Sequence, residues 1–299
     1  MELQERPDPV PGPDEVLVAA AFAGINPADL SQRGGHYPAP PGSPADVPGL
    51  EVAGTVRACG SRVTAWREGD RVFGIVGGGG LADTVCVHER HVARVPDSLA
   101  NREAAAVPEA FITAHDAVFT QAGLRMGETL LVNGATGGVG TAAIQLALAS
   151  GSRALANARS EEGLRRLAEM GAEPTGLAEA RDVDVVLELV GIQHLEGSLR
   201  ALRSLGRIMI VGTGAGAEGE VSLRALMGKR ASITGTMLRA RPLDQKAAAV
   251  QAFAHQVVPL IERGAVRPLV DRVFPLDRAA DAFEYMTKPG KFGKVLLEF

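Results

Sequence analysis

The chain has 299 residues, of which 46% are apolar and 22% are charged, and its formal net charge is −4. The length is typical of two domains, and the mild acidity provides no basic surface for nucleic acid. No apolar run reaches the roughly 18 residues of a membrane span, and the N-terminal segment has no apolar core of a signal peptide. We therefore expect a cytoplasmic protein without nucleic-acid or membrane partners.

The cysteine pattern agrees with a reducing compartment. Cys59 and Cys86 lack the C-x-x-C spacing of a zinc lobe, and two cysteines make no disulfide framework.

The first hundred residues are rich in proline and glycine and contain short segments of alternating apolar residues. Such segments predict strands, here at residues 15–21, 52–56, 70–74 and 84–87. Short strands at close spacing favour a compact, partly open β-barrel.

The middle of the chain has a different pattern. Helices are predicted from about residue 103 and at 113–121, and strands then alternate with helices. The strands are predicted at 128–133, 153–157, 183–187, 207–211 and 231–235, and the helices at 138–149, 161–170 and 194–202. This alternation is typical of an α/β domain with a doubly wound parallel sheet, the Rossmann type.

The C-terminal part predicts a long helix at 244–263, a strand at 270–274, an amphipathic helix at 277–286 and a last strand at 294–299. The simplest arrangement returns this tail to the first domain. We thus expect one domain from 1–115 and 265–299, a dinucleotide-binding domain from 116–264, and the active site in the cleft between them.

A glycine turn follows the strand at 128–133. Gly134, Gly137 and Gly140 lie between that strand and a helix of strong helix formers. The spacing lets the backbone approach a pyrophosphate and aims helix N–H groups at its charge. We expect the ligand to contact the turn at Gly134, Ala135, Gly137, Gly138 and Val139. The spacing is not a strict G-x-G-x-x-G, and the alternative is an ordinary strand-to-helix turn.

The end of the second strand of this domain indicates the cofactor. Ala158 occupies the position where NAD-binding domains have an acidic residue for the ribose 2′-hydroxyl. Arg159 and Ser160 follow, and a guanidinium with a hydroxyl suits a 2′-phosphate. The prediction is NADPH. The alternative is a solvated Arg159 that pairs with Glu161 and Glu162.

Segments in the same order over nearly the whole chain resemble the zinc-free quinone oxidoreductase branch, the zeta-crystallin-like group, of the medium-chain dehydrogenase/reductases. They lie at residues 24–38, 48–54, 109–114, 134–140, 235–240 and 292–298. The resemblance implies a Rossmann domain plus a GroES-like, β-barrel-type catalytic domain. It also implies an NADPH-dependent reductase of quinones or other conjugated carbonyl compounds, and a homodimer joined through the cofactor domains, with 231–235 as the edge strand.

Comparison with the zinc enzymes that share this fold indicates whether this chain has the ligands for a catalytic zinc ion. Asn26 and Leu50 stand where those relatives have the cysteine and histidine ligands of the catalytic zinc, and neither can replace them. We expect no metal. Without a Lewis acid, quinones and activated enones are the favoured acceptors, because conjugation spreads the negative charge that hydride addition creates.

The resemblance also assigns residues around the nicotinamide and the substrate. Tyr37 is expected to form a flat wall and a donor to the substrate oxygen, and Asn26 an amide partner that orients the nicotinamide or the substrate. For Tyr37 the alternative is packing on its neighbouring prolines, and Asp29 is expected to cap the helix after Pro27. The remaining positions near the ring are Thr113, Gly212, Thr213, Met237 and Leu238.

Two departures from the family affect the 2′-phosphate site. The segment 171–183 is short and lacks a tyrosine that the family often has there, and Gly163 replaces a frequent lysine. Arg159 then has to provide more of the anchoring.

Two other functions remain open. An enoyl-thioester reductase needs a basic rim for a carrier phosphate, for which Arg33, Arg239 and Arg241 are candidates. The other alternative is a non-catalytic, NADPH-binding, redox-sensing protein on the same fold.

Overall fold

A computed structural model describes residues 2–299, and the chain forms two compact units. The first unit comprises the chain up to Ile112 together with Leu238–Gly264 and Pro268–Phe299, and the second comprises Thr113–Met237 and Ala265–Arg267. Within residues 2–299, every helix is too short or too polar to cross a membrane.

The elements are numbered in chain order. The strands are β1 (Glu15–Ile25), β2 (Glu51–Cys59), β3 (Arg71–Ile75), β4 (Thr84–His88), β5 (Val92–Arg94), β6 (Thr129–Asn133), β7 (Arg153–Asn157), β8 (Glu173–Pro174), β9 (Val183–Glu188), β10 (Leu202–Ile210), β11 (Ser232–Gly235), β12 (Val270–Pro275) and β13 (Lys294–Glu298). The α-helices are α1 (Pro27–Arg33), α2 (Asn101–Ala104), α3 (Thr113–His115), α4 (Gly138–Ala149), α5 (Glu161–Glu169), α6 (Leu195–Ala201), α7 (Leu223–Lys229), α8 (Leu243–Gln256), α9 (Val258–Glu262) and α10 (Ala279–Thr287). Two π-helical turns, Pro108–Ile112 and Asp116–Gln121, flank α3.

A seven-stranded sheet forms the first unit, in the order β12-β13-β1-β2-β3-β5, with β4 paired to β1. The long strand β1 joins three partners: it pairs with β2 along one side and with β4 and then β13 along the other. Register shifts after Leu17 and Ala20 increase its twist. Alternate residues such as Val16, Val18 and Val52 then meet in one buried core, which confirms the expected barrel-type domain.

The second unit is a six-stranded parallel sheet in the order β11-β10-β9-β6-β7-β8. The order reverses between β6 and β9, which is the topological switch point of a doubly wound fold. The predicted Rossmann-type sheet is therefore confirmed.

The register of this sheet brings polar strand ends to one level. Asn133 of β6 pairs with Asn157 of β7 and with Glu188 of β9. Parallel strands end at the same edge, so the glycine turn, the segment after β7 and the segment after β9 all begin there. Ligands of open α/β sheets bind at this edge.

The division into units corrects the predicted domain boundary. Residues 238–264, predicted to belong to the dinucleotide-binding domain, lie in the first unit. The physical reason is the buried face of α8, where Phe253 contacts Phe73 of β3 at 5.8 Å between ring centroids. The predicted helix 244–263 is also two helices, because Pro259 lies in the first turn of α9. Residues 113–115 belong to the second unit and not, as predicted, to the first.

Candidate functional site

A positive φ explains one of the three glycines in the turn after β6, and close backbone contact explains another. Gly134 has φ +82°, and a Cβ at Gly140 would lie 2.6 Å from the carbonyl oxygen of Gly134. At Gly137 the nearest atom to a Cβ would be 3.7 Å away. The fold therefore needs Gly134 and Gly140, whereas the absence of a side chain at Gly137 leaves space for a ligand.

The helix that follows, α4, has free backbone N–H donors at its N-terminus. Gly137 is the N-cap of α4, and no side chain caps the helix. The first-turn N–H groups of Gly138, Val139 and Gly140 have no partner within the helix. Open space next to uncapped N–H groups at a helix N-terminus fits a pyrophosphate, so these residues suit the expected dinucleotide.

The segment after β7 has an available cation. Arg159 is exposed and forms no ion pair with any residue in 2–299. Glu162, which the alternative interpretation paired with Arg159, contacts Arg165 at 2.6 Å. Ser160 caps α5, and its Oγ accepts from the Gly163 amide at 3.0 Å, which leaves the hydroxyl proton for another acceptor.

Packing also accounts for the glycine at position 163. A Cβ there would lie 2.5 Å from Cγ2 of Thr136. The Thr136 methyl group thus occupies the space that a lysine side chain would need, and Arg159 remains the available cation of this segment.

Glu188 organises the edge of the second sheet, a role that the sequence did not reveal. Its buried carboxylate accepts from the amides of Val190 (2.8 Å) and Gly191 (3.0 Å) and from Nδ2 of Asn133 (2.6 Å). The Glu188 carbonyl accepts from Gly212, where a Cβ would lie 2.4 Å from the Leu189 carbonyl oxygen. The loop of Gly212 and the exposed Thr213 is thereby fixed against the end of β9.

In the first unit, a buried ion pair lies beside Asn26. Nζ of Lys294 is 2.5 Å from Oε1 of Glu51 and 2.5 Å from Oδ1 of Asn26. Nδ2 of Asn26 donates to the same Glu51 oxygen at 2.9 Å. Both ends of the Asn26 amide are thus engaged inside the unit. Glu51 and Lys294 were not predicted as site residues, although both lie in segments that carry the family resemblance.

Two more carboxyl groups surround this pair. Asp29 accepts from the amides of Asn26 (2.7 Å) and Gly49 (2.8 Å), which confirms that it caps α1. Burial raises the pKa of Asp29 to about 6, against these two bonds. Burial, with the charge of Glu51, raises the pKa of Glu109 to about 7, and the Glu109 amide donates to Glu51 at 2.9 Å. Near neutral pH, Glu109 therefore carries a proton part of the time.

Tyr37 is half-buried, and its hydroxyl group has no hydrogen-bond partner in the described part of the chain. The guanidinium of Arg239 lies 4.9 Å from the centre of its ring. Burial raises the pKa of the Tyr37 phenol, and the Arg239 charge opposes this shift. The phenol is therefore a protonated donor near neutral pH, which is the state that a hydrogen bond to a substrate oxygen requires.

The remaining predicted neighbours of the nicotinamide differ in exposure. Thr113 is buried and Met237 exposed in the second unit, and Leu238 is buried in the first. Their contact with a nicotinamide stays a prediction. Among residues 2–299, no group of three or more His, Cys, Asp or Glu side chains is placed to hold a metal ion.

The two glycines 137 and 140 provide a contrasting pair of substitutions. Gly140→Ala should lower stability by about 1–3 kcal/mol, because its Cβ meets backbone oxygen atoms. Gly137→Ser should leave stability within about 0.5 kcal/mol, because its Cβ has space and serine is a good N-cap. Its side chain should nevertheless lower NADPH affinity about tenfold or more by covering the N–H groups.

Thermal unfolding and fluorescence titration with NADPH measure the two effects separately. Wild-type affinity in a folded Gly137→Ser protein would show that the pyrophosphate binds elsewhere.

Two family models match the chain: the alcohol dehydrogenase GroES-like domain at residues 12–97 and a zinc-binding dehydrogenase at residues 169–297. The quinone oxidoreductase of Mus musculus is 34% identical over 97% of this chain and 90% of its own length.

Solved structures agree with this match. An alcohol dehydrogenase superfamily protein from Novosphingobium aromaticivorans has a TM-score of 0.89 at 30% identity, over 99% of this chain and 95% of that one. The quinone oxidoreductase of Thermus thermophilus, also solved in complex with NADPH, has a TM-score of 0.84 at 33% identity, over 100% and 96%. The chain belongs to the medium-chain dehydrogenase/reductase superfamily, in its quinone oxidoreductase branch.

Proposed function

We propose that this protein is an NADPH-dependent, zinc-independent oxidoreductase that transfers hydride to quinones or other conjugated carbonyl acceptors. The observation that carries the proposal is the uncapped N-terminus of α4 beside the open space at Gly137. The names of the relatives, quinone oxidoreductases at 34% identity or less, supply the acceptor class.

NADPH is the proposed cofactor because the segment after β7 has a free cation and no acidic residue at its start. Ala158 leaves no carboxylate to accept from a ribose 2′-hydroxyl. Arg159 is unpaired within residues 2–299, and the Ser160 hydroxyl retains its proton. A guanidinium with a hydroxyl group binds a phosphate through charge-assisted hydrogen bonds.

Tyr37 is the proposed contact to the acceptor oxygen. When the cofactor is bound, the nicotinamide supplies a hydride from C4, and negative charge develops on the acceptor oxygen. The free hydroxyl of Tyr37 donates to that oxygen and stabilises the charge. Asn26, whose amide is bonded to Lys294 and Glu51, holds the start of the same segment and orients the ring or substrate through this network.

Replacing Arg159 tests the cofactor. Arg159→Ala should weaken NADPH binding about tenfold or more, since it removes a charged partner of the 2′-phosphate, and should leave NADH binding unchanged. The matched control is Arg125→Ala, which removes an exposed arginine just before β6, at the opposite edge of the same parallel sheet. Fluorescence titrations of the wild type and both variants with each cofactor give the six affinities. Equal losses for NADPH and NADH would contradict the assignment.

A panel of acceptors tests the reaction. With NADPH, 9,10-phenanthrenequinone and simple quinones should be reduced, and Tyr37→Phe should lower kcat by about tenfold or more through loss of one donor. Tyr285→Phe, the other tyrosine of the chain, should retain full activity. Turnover of enoyl thioesters alone would favour the enoyl-thioester reductase. Tight NADPH binding without turnover of any acceptor would favour the redox-sensing protein and reject the enzyme.

We also propose a homodimer that forms through β11, which pairs only with β10 in the described chain. Next to it in sequence, α7 has no buried residue, and its Leu223 and Met227 are 69% and 75% exposed. Light scattering should report a dimer, and Leu223→Asp with Met227→Asp should yield monomers. Met126→Asp, at a methionine that is 82% exposed, should remain dimeric. A wild-type monomer would refute this interface.

A further inference from the structure

Arg239 is the most enclosed arginine of the candidate site. It is 5% exposed, and all three of its nitrogen atoms donate hydrogen bonds. Nε donates to the carbonyl of Gly77 at 2.7 Å, Nη1 to the carbonyl of Tyr37 at 2.9 Å, and Nη2 to Oε1 of Gln32. A free basic rim for a carrier phosphate does not use its donors in this way.

The partners of this guanidinium are uncharged. Within residues 2–299, no carboxylate lies within ion-pair distance of Arg239. The carboxyl groups that act on it through space are those of Asp29 and Glu109. A buried cation without a paired anion costs desolvation free energy, so packing alone gives no reason for an arginine here.

The contacts of Arg239 converge on one segment. Its fork connects Gln32, on α1, with Tyr37 and with Gly77 in the loop after β3, and its charge lies over the Tyr37 ring. The Arg239 backbone is itself held, because its carbonyl accepts from Nζ of Lys246 at 2.8 Å. The position of the phenol and the charge beside it therefore depend on the same side chain.

We propose that Arg239 is a positioning residue for the reaction: it fixes the Tyr37 segment through its three hydrogen bonds and makes the phenol a stronger donor to the acceptor oxygen. The inference rests on the proposed function only in that Tyr37 contacts the acceptor. The coupling between Arg239 and Tyr37 is a property of the free protein and is measurable without cofactor or quinone.

Fluorine NMR can measure the coupling, because the chain has two tyrosines. With 3-fluorotyrosine at both positions the phenols become more acidic, and Tyr285→Phe assigns the two signals. Arg239→Gln should raise the pKa of Tyr37 by about one unit or more, the effect of one charge at this distance. The charged groups that act on Tyr37 are Arg239 and Glu109. The Tyr37 titrations of the wild type and of Arg239→Gln are therefore compared over the same pH range.

A second arginine provides an internal control. The guanidinium of Arg272 lies 4.5 Å from the ring centre of Tyr285, and Asp271 accepts from that tyrosine's hydroxyl. Arg272→Gln should move the titration of Tyr285 and leave that of Tyr37 unchanged. Arg239→Gln should do the reverse.

Kinetics then test the positioning role. Arg239→Gln should raise KM for the quinone and lower kcat/KM about tenfold or more, with NADPH affinity unchanged. Arg239→Lys keeps the charge but lacks the planar fork. Arg239→Lys should therefore restore the wild-type pKa of Tyr37, whereas KM for the quinone should stay raised.

The outcomes separate the inference from the function. A folded Arg239→Gln protein with an unchanged Tyr37 titration, or with unchanged quinone kinetics, overturns the positioning role even if quinones are reduced. If Arg239→Gln shifts the pKa of Tyr37 but the wild-type protein reduces no quinone, the proposed function is refuted instead. If Arg239→Gln does not fold, Gln32→Leu removes one acceptor of the fork. It should raise KM in the same direction, and an unchanged KM counts against the proposal.

Discussion

The buried ion pair of Lys294 and Glu51 is the interaction on which the first unit depends. It joins β13 to β2, and through Asn26 it joins both to the start of α1. Each charge is out of water, so removal of either partner would leave the other uncompensated, at a typical cost of about 3–5 kcal/mol. Gly24 belongs to the same arrangement, because a Cβ there would lie 2.1 Å from a Glu51 oxygen. The segment that carries Tyr37 begins at this pair and ends at the fork of Arg239, so electrostatics fixes it at both ends.

The second unit also has a buried carboxylate, which is stabilised without a buried cation. Glu188 is buried at the end of β9, and its carboxylate is satisfied by backbone amides and by Asn133. The backbone carbonyl of Glu188 accepts from the Gly212 amide and so holds the loops after β9 and β10 close to each other. At Gly212 the backbones leave no space for a side chain. The glycines at this edge of the sheet therefore serve two different purposes. At Gly140 and Gly212 the fold itself requires glycine, whereas at Gly137 the space is left for a ligand.

Patterns that depend on local periodicity were predictable from the sequence. The apolar strands β6 and β9, their alternation with helices and the parallel sheet followed from them, and the glycine turn lies at the expected strand end. The partner of an amphipathic helix was not predictable, because the buried face of α8 fits a barrel as well as a sheet. Helix α7 was not predicted, because seven residues are only about two turns and show too little of an apolar period. Arg239 was interpreted as a rim arginine because a sequence does not show whether a guanidinium is buried.

The charges of the first unit suit a reaction that creates an anion. Lys294, Lys246 and Arg239 all act on the carboxyl group of Glu109, and Lys294 is also paired with Glu51. Burial raises the pKa values of Asp29 and Glu109 to about 6 and about 7, so both hold protons as the pH falls below neutral. The cations then outnumber the carboxylates, and one of these cations, Arg239, lies beside the Tyr37 ring. Hydride addition places negative charge on an oxygen, and preorganised positive charge stabilises that product without moving solvent. The side chains that hold the Tyr37 segment in place would thus also supply positive charge to the acceptor that we propose beside this phenol.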